Sequence, residues 1–429
     1  IAKQKTPLRT SARRASRAAE MSAPGRRNAT SDPARAPLDG IRVLDLTQIY
    51  NGPYATFLMA MAGAEVIKVE PREGEFLRRR DARSGAGVPF AMLNANKRSV
   101  TLDLKGQRGK EIFLALVRDA DVVVENFAPG VVDRLGIGYE AAKAENPRII
   151  YASGSGYGQS GPYRSYPAMD LTVQAMSGVM SVTGFPNAPP VKAGAALCDF
   201  FGGVHLYGAI ATALFRRERD GSGCYIDVAM LDAVYPSLAS NIGSVYAERD
   251  DLPPRTGNRH GGLSLCPYNV YPAADGYIAI ICNSDKHWHS LLGAMERPDL
   301  AKSDKYASMR DRVSRMDEVD ELVGAWTQGR DRTALFDLLV QHRVPCAPVR
   351  ELREAMSDPH LHSRGMLLEI DHPSYGHIVV CRSPLRYAGL RQPEYRVSPD
   401  KGADNDAVLT EWLGLSADEV QALRRDDVI

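Results

Sequence analysis

The stretch Ile41-Arg-Val-Leu-Asp-Leu-Thr-Gln-Ile-Tyr-Asn-Gly-Pro53, running on through Ala62 to Ala64-Glu-Val-Ile-Lys-Val-Glu70, decides how this chain folds. Residues 41–46 and 64–70 are short, rich in Val, Ile and Leu and closed off by turn residues, which predicts two buried strands. Between them, Pro53 to Ala62 opens with proline in its first turn and predicts a helix. Strand, helix, strand in direct succession imply a right-handed crossover and a parallel sheet. The alternation continues with a helix over 108–118 and strands over Asp121-Val-Val-Val-Glu-Asn126 and Arg148-Ile-Ile-Tyr-Ala152. The expected fold class is α/β, with a Rossmann-like parallel sheet.

At 429 residues the chain exceeds the size at which one core stops growing, about 250–300 residues. The texture changes after residue 245: a polar linker, Arg249-Asp-Asp-Leu-Pro-Pro254, precedes a Gly-containing loop, a strand over 277–282 and helices near 286–295, 317–327 and 331–342. Val344-Pro-Cys-Ala-Pro348 then reads as a second linker, Gly365 to Tyr387 as two strands around Pro373-Ser-Tyr-Gly376, and 417–424 as a last helix. The expectation is a large domain over 38–230 rejoined by 348–429, and a smaller α+β domain over 245–342.

Residues 1–38 carry nine Lys/Arg against Glu20 and Asp32, a net +7, so the remainder of a chain of net +1 carries −6. The body of the chain is thus not a nucleic-acid binder by charge. Residues 1–37, rich in Ala, Ser, Arg and Pro without apolar periodicity, are expected to be a disordered basic leader, either a transit peptide or sequence upstream of a start at Met21. No apolar run approaches the roughly 18 residues of a membrane span. Six cysteines without a C-x-x-C pair argue against a zinc site or a disulfide framework and for a reducing compartment. The expected location is cytoplasmic, or the mitochondrial matrix if 1–36 is a transit peptide.

No G-x-G-x-x-G or G-x-x-x-x-G-K-[ST] follows the first strand, so neither nucleotide fingerprint is present. The Gly52-Pro53 turn presents a helix N-terminus, a generic anion site. Lys68, Arg72, Lys97, Arg98, Lys105 and Arg134 fall near strand ends, where an α/β sheet forms its crevice; together they suit a ligand with several phosphates, and singly they read as solvated surface charge. The sharpest chemical feature is Val191-Lys-Ala-Gly-Ala-Ala-Leu-Cys-Asp199-Phe-Phe-Gly-Gly203. Small residues before Asp199 admit a bulky ligand, Phe200 and Phe201 are placed to exclude water, and a desolvated carboxylate is a strong nucleophile. The plainer role for an Asp ahead of an apolar helix (Val204 to Arg217) is an N-cap.

Leu38-Asp-Gly-Ile-Arg-Val-Leu-Asp-Leu-Thr47, Gly63 to Glu70, Asn96-Lys-Arg-Ser99 with Leu102-Asp-Leu104, Val124-Glu-Asn-Phe127 with Pro129-Gly130, and Ser153-Gly-Ser-Gly-Tyr-Gly-Gln-Ser-Gly-Pro162 resemble the family III CoA-transferases. That superfamily also contains α-methylacyl-CoA racemase. The resemblance implies a transferase of sulfur-containing groups that moves CoA from an acyl-CoA to a small free carboxylic acid. It implies Asp199 as the nucleophile, through an acyl–aspartyl anhydride and an aspartyl-CoA thioester, with Gly202 and Gly203 as candidate oxyanion donors. It also implies CoA contacts at Tyr50, Asn51, Arg72, Leu102 to Lys105, Asn126, Phe127, Arg134 and the Tyr166–Asp170 segment. Pro71 and Pro167 stand where one member has basic residues, leaving Arg72 to serve. Further implications are a substrate loop at His260, Gly261 and Gly262, an interlocked homodimer whose linkers lie near 230–250 and 340–350, coenzyme A as substrate, and no prosthetic group or metal.

Three rivals remain at this point. A racemase needs a His thirty residues before the Asp, and Met169 stands there; methionine accepts no proton. A thiol acyltransferase or thioesterase would use Cys198 with His205 as its base, although a small buried Cys is the commoner role. The third is a CoA-binding module without activity, which the intact Asp199 opposes.

Overall fold

The computed structural model describes residues 35–80, 87–247 and 252–429. The basic leader up to residue 34 and the first half of the 249–254 linker lie outside the described residues.

The chain runs β1 (Arg42–Asp45), α1 (Asn51–Met61), β2 (Glu65–Glu70), α2 (Val88–Leu93), β3 (Arg98–Thr101), α3 (Gln107–Asp119), β4 (Val122–Glu125), α4 (Val131–Leu135), α5 (Tyr139–Glu145) and β5 (Ile150–Ser155). It continues through α6 (Asp170–Met176), α7 (Val179–Val182) and the long α8 (Leu197–Asp220) to β6 (Cys224–Ala229), α9 (Met230–Val234) and α10 (Ala239–Tyr246). The six strands form one sheet in the order β3-β2-β1-β4-β5-β6, with every pair parallel. Successive side chains of a strand face opposite ways. Val43, Val66, Val122, Val124, Ile150 and Ala152 therefore pack with α1 and α8, while Leu44, Ile67, Val69, Val100, Val123 and Tyr151 pack with Ile112, Phe113 and Leu116 of α3. Burial on both faces explains why these strands read as apolar runs rather than alternating ones. Helix α1 buries every residue except Tyr54, which is why it shows no polar stripe.

The strand order reverses between β1 and β4: the chain builds outward to β3 and then returns beside β1. A doubly wound sheet opens its ligand crevice at that point, outside the carboxyl ends of the two strands.

A second, antiparallel sheet of β7 (Tyr268–Ala273), β8 (Gly276–Ile281) and the later β9 (Cys346–Pro348) packs with α11 (Asp285–Ala294), α12 (Pro298–Ala301), α13 (Met309–Val313), α14 (Met316–Thr327) and α15 (Arg332–Gln341). Its core is built on Trp288, Leu291, Val319, Val323, Leu335 and Leu339. After α16 (Leu352–Met356) and α17 (Pro359–Ser363) comes the hairpin β10 (Leu367–His372) and β11 (Gly376–Cys381), followed by α18 (Asn405–Leu413) and α19 (Ala417–Arg425). The last segment returns to the parallel sheet. The carboxylate of Asp404 and the side-chain carbonyl of Asn405 accept the Ser99 and Thr101 N–H groups, each at 2.8–2.9 Å, which covers the otherwise open edge of β3.

Helix α8 departs from the sequence expectation. It begins at Leu197 rather than at Val204, so Asp199 is its third residue and not its N-cap. By length and composition it is apolar enough to cross a membrane, with a mean hydropathy of 1.3 over its best 18-residue window. Leu206, Ile210, Ala213 and Leu214 nevertheless pack it onto the sheet, and its C-terminal turn carries Arg216, Arg217, Glu218, Arg219 and Asp220.

Candidate active site

The loop from β1 into α1 is set from below by a buried polar network. Lys97 Nζ donates to Asp45 Oδ2 at 2.9 Å, Thr56 Oγ1 at 2.8 Å, Asn94 Oδ1 at 2.9 Å and the Pro53 carbonyl at 3.2 Å. The other Asp45 oxygen accepts the Thr47 N–H at 2.8 Å, and Lys68 Nζ donates to the Thr47 carbonyl at 2.8 Å. Burial alone would raise the Asp45 carboxyl, but Lys97, Lys68 and the Thr47 hydroxyl bring it down to about 2. From this anchor the chain passes through Ile49 at φ 65°, a left-handed conformation rarely tolerated by a β-branched residue and a mark of functional strain. The loop after β4 is locked to it: Gln48 N–H donates to Asn126 Oδ1 and Asn126 Nδ2 donates back to the Gln48 carbonyl, both at 2.8 Å.

These two loops wall a cleft of about 240 Å³ at the crevice, together with Gly154, Ser155 and Gly156 from the end of β5, Ala168, Met169, Met230 and Asp199. Asp199 is 9% exposed. Burial, with Asp170 as a second negative charge, pushes its carboxyl up to about 7, against a lowering by the Asn51 N–H. Asp199 is relieved of capping its own helix because Asp170 does so: Asp170 Oδ1 accepts the N–H of Cys198 at 2.8 Å and of Asp199 at 3.3 Å. Asp170 is held in turn by Gln174, whose Oε1 accepts the Ala193 N–H at 2.9 Å. This capping from a different helix is what starts α8 early.

Asn51, the first residue of α1, is 3% exposed, yet neither its Nδ2 nor its Oδ1 has a hydrogen-bond partner. Leaving such a group unpaired costs about 1–3 kcal/mol. The amide is accommodated because its neighbours are glycines. A Cβ on Gly202 would fall 2.2 Å from Asn51 Nδ2, one on Gly154 would fall 2.5 Å from Oδ1, and one on Gly203 would fall 2.6 Å from the Asn51 carbonyl. Gly202 and Gly203 therefore serve the close approach of α8 to α1. Lying in the second turn of α8, their N–H groups belong to the helix ladder, which corrects the expectation that they are oxyanion donors.

Of the residues singled out in the sequence, Asn51, Asn126, Phe127, Asp199 and, from the Tyr166–Asp170 segment, Ala168 and Met169 line this cleft. Tyr50 lies beside it, stacked on Phe200 with centroids 6.1 Å apart. Phe200 and Phe201 are each more than a third exposed, so Asp199 is shielded by the cleft walls rather than by them. Leu102 is 1% exposed in the core, and its side chain is packing. Lys105 and Arg134 are exposed, and Arg72 pairs with Asp427. Tyr166 stacks on Tyr163 at 5.2 Å, while Asp170 is occupied as the cap. Lys68 and Lys97 are neither solvated nor ligand-facing, being spent on the Asp45 network; Arg98 pairs with Glu65, Glu411 and Asp404. The expectation that all six basic groups converge on one ligand is corrected accordingly. His260, Gly261 and Gly262 are not among the cleft-lining residues. Their loop packs on α10, where a Cβ on Gly261 would lie 3.0 Å from Asn241 Nδ2. Sequence reasoning gave no site role to Gln48, Ile49, Ala128, Gly154, Ser155, Gly156 or Met230; the glycine-rich run after Ser153 was the available signal for three of them.

Two rival chemistries lose their groups. Cys198 is fully buried, and burial with Asp170 and Asp199 pushes its thiol up to about 12. Its supposed base, His205, instead meets the Phe201 carbonyl at 2.8 Å. Met169, in the racemase His position, lines the cleft with a side chain that transfers no proton.

Comparison with known proteins places the chain in a family. The model of CoA-transferase family III matches residues 38–405. A formyl-CoA:oxalate CoA-transferase of Streptomyces coelicolor is 37% identical over 410 residues, covering 91% of this chain and 99% of the relative. A succinyl-CoA:mesaconate CoA-transferase of Haloarcula hispanica is 39% identical over 360 residues, covering 81% and 89%. A CAIB/BAIF family protein from Brucella suis has the same fold, with a TM-score of 0.78 at 33% identity over 88% of this chain and 100% of that one. With the family model across nearly the whole chain and relatives aligned almost end to end, the chain belongs to CoA-transferase family III and is a transferase acting on CoA thioesters.

Proposed function

We propose that the chain passes CoA from an acyl-CoA to a short free carboxylic acid through covalent intermediates on Asp199. The Asp199 carboxylate attacks the thioester carbonyl, giving an acyl–aspartyl anhydride and CoA thiolate. The thiolate attacks the aspartyl carbonyl, releasing the donor acid and forming an aspartyl-CoA thioester. The acceptor carboxylate opens that thioester to a second anhydride, and the thiolate then takes the new acyl group and frees Asp199. Splitting one transfer into steps between groups of similar energy is the advantage of covalent catalysis.

The observation that carries this reading is a carboxylate 9% exposed, at the sheet's crevice, paired with no cation among the described residues and relieved of capping by Asp170. Short acyl groups are proposed as the cargo, the cleft of about 240 Å³ being the part of the site that one chain supplies. The relatives named for formyl-CoA, acetyl-CoA and succinyl-CoA donors point the same way. Exposed Lys105 and Arg134, with Arg72, are the basic groups proposed for the CoA phosphates. The exposed faces of α8 and α10 are proposed to be covered by a second copy of the chain, whose glycine loop completes the cleft.

The test is a mass-spectrometric screen of purified protein with formyl-, acetyl- and succinyl-CoA against a panel of free acids including oxalate, mesaconate and glutarate. Formation of a new acyl-CoA, with a CoA adduct mapped to Asp199, is expected. A new acyl-CoA without any adduct on Asp199 would contradict the covalent route.

A further inference from the structure

We infer that the side-chain amide of Asn51 is a catalytic group, whose Nδ2 donates a hydrogen bond to the oxygen of the acyl carbonyl as Asp199 attacks it. The inference rests on the proposed Asp199 reaction and adds to it the oxyanion donor. Among the described cleft-lining residues, only Asn51 has buried side-chain polar atoms without a partner. A polar group kept unpaired in a dry site is stabilised only when something else supplies the partner.

The position fits the oxygen rather than the CoA tail. A carbonyl carbon must approach the Asp199 carboxylate to about 3 Å before bond formation, and Asn51 lines the same cleft as that carboxylate. Its Nδ2 sits against Gly202, one helical turn beyond Asp199, where a methyl group would come within 2.2 Å. The glycine thus makes room for the amide itself at the cleft wall. The backbone donors nearest to hand, those of Gly202 and Gly203, are used by the helix. The N–H of Asp199 and that of Cys198 are taken by Asp170. Among the described cleft-lining side chains, the Asn51 amide is the buried donor left unpaired. As the carbonyl becomes tetrahedral its oxygen gains full negative charge, and a fixed donor in a low-dielectric site then binds it more strongly than the ground-state carbonyl.

The test compares wild type with Asn51→Ala in steady-state transfer, in CoA binding and in thermal melting. Loss of one oxyanion donor typically lowers kcat about 10²–10³-fold, so a fall of that size is expected, with KM for the acyl-CoA changed less than about threefold. Because the change removes two unpaired buried atoms, Tm is expected to stay or rise, which a merely structural role would not produce. Retention of kcat within about threefold would overturn the inference while leaving the Asp199 reaction standing. So would a loss confined to acyl-CoA affinity, or a fall in Tm of several degrees together with activity. Wild-type protein that transfers CoA between no donor and acceptor pair would overturn both the reaction and the role built on it.

Discussion

At Asp199, burial rather than a neighbouring cation sets the chemistry. Its carboxyl stands near 7 because the cleft removes water and Asp170 adds a like charge, and only the ionised form is a nucleophile. kcat/KM should therefore rise with pH up to about 7 and level off above it, read from a pH–rate profile; a flat profile between pH 5 and 8 would contradict this. Stability moves the opposite way. Between about pH 4 and 7 the native state keeps a proton that the unfolded chain releases, so folding loses on the order of 4 kcal/mol as pH rises through that window. Asp199→Asn lacks this loss. Its melting temperature should match wild type near pH 4 and exceed it at pH 8, while transfer falls by several orders of magnitude and CoA binding persists. Cys198→Ala should keep most of the rate, since the thiol is buried and held protonated.

At the scale of elements, two helix starts meet at the cleft, and each is fixed by a residue far away in sequence. The start of α1 hangs on Lys97, and that of α8 on Asp170. Lys97→Met would leave Asp45 buried without its cation, and breaking a buried pair in this way costs about 3–5 kcal/mol; urea unfolding should show a loss of that order. Asp170→Asn retains a carbonyl to accept the two α8 N–H groups but removes the like charge beside Asp199. The acid limb of the pH–rate profile should then move to lower pH, with the midpoint as readout. An unmoved limb would mean that desolvation alone holds the Asp199 carboxyl up.

For the whole molecule, the exposed apolar surface is the salient feature. Helix α10 buries no residue, with Val245 at 77% and Tyr246 at 84% exposed, and α8 leaves Val204 and Phe215 at 47% and 61%. We propose that this apolar surface is the interface of a homodimer. Light scattering should give about twice the 46.9 kDa chain mass; a monomer at micromolar concentration would contradict it. The loop of His260, which does not reach the cleft of its own chain, has in such a dimer a second cleft to serve.

By itself the sequence determined the α/β class, the strands β1, β2, β4 and β5, the family and the candidate nucleophile, because apolar runs, turn residues and motifs are local properties. Tertiary structure decided everything that depends on partners distant in the chain. Lys68 and Lys97 looked like phosphate ligands because a lysine's burial cannot be seen in its neighbours; only the fold brings Asp45 to them. Asp199 looked like a possible N-cap because the true cap, Asp170, lies 29 residues earlier. Gly202 and Gly203 looked like donors until α1 was found packed against them. Asn51 drew notice only through resemblance, since an unpaired amide is a fact of burial and geometry, and both exist only once β1, β5 and α8 have come together around it.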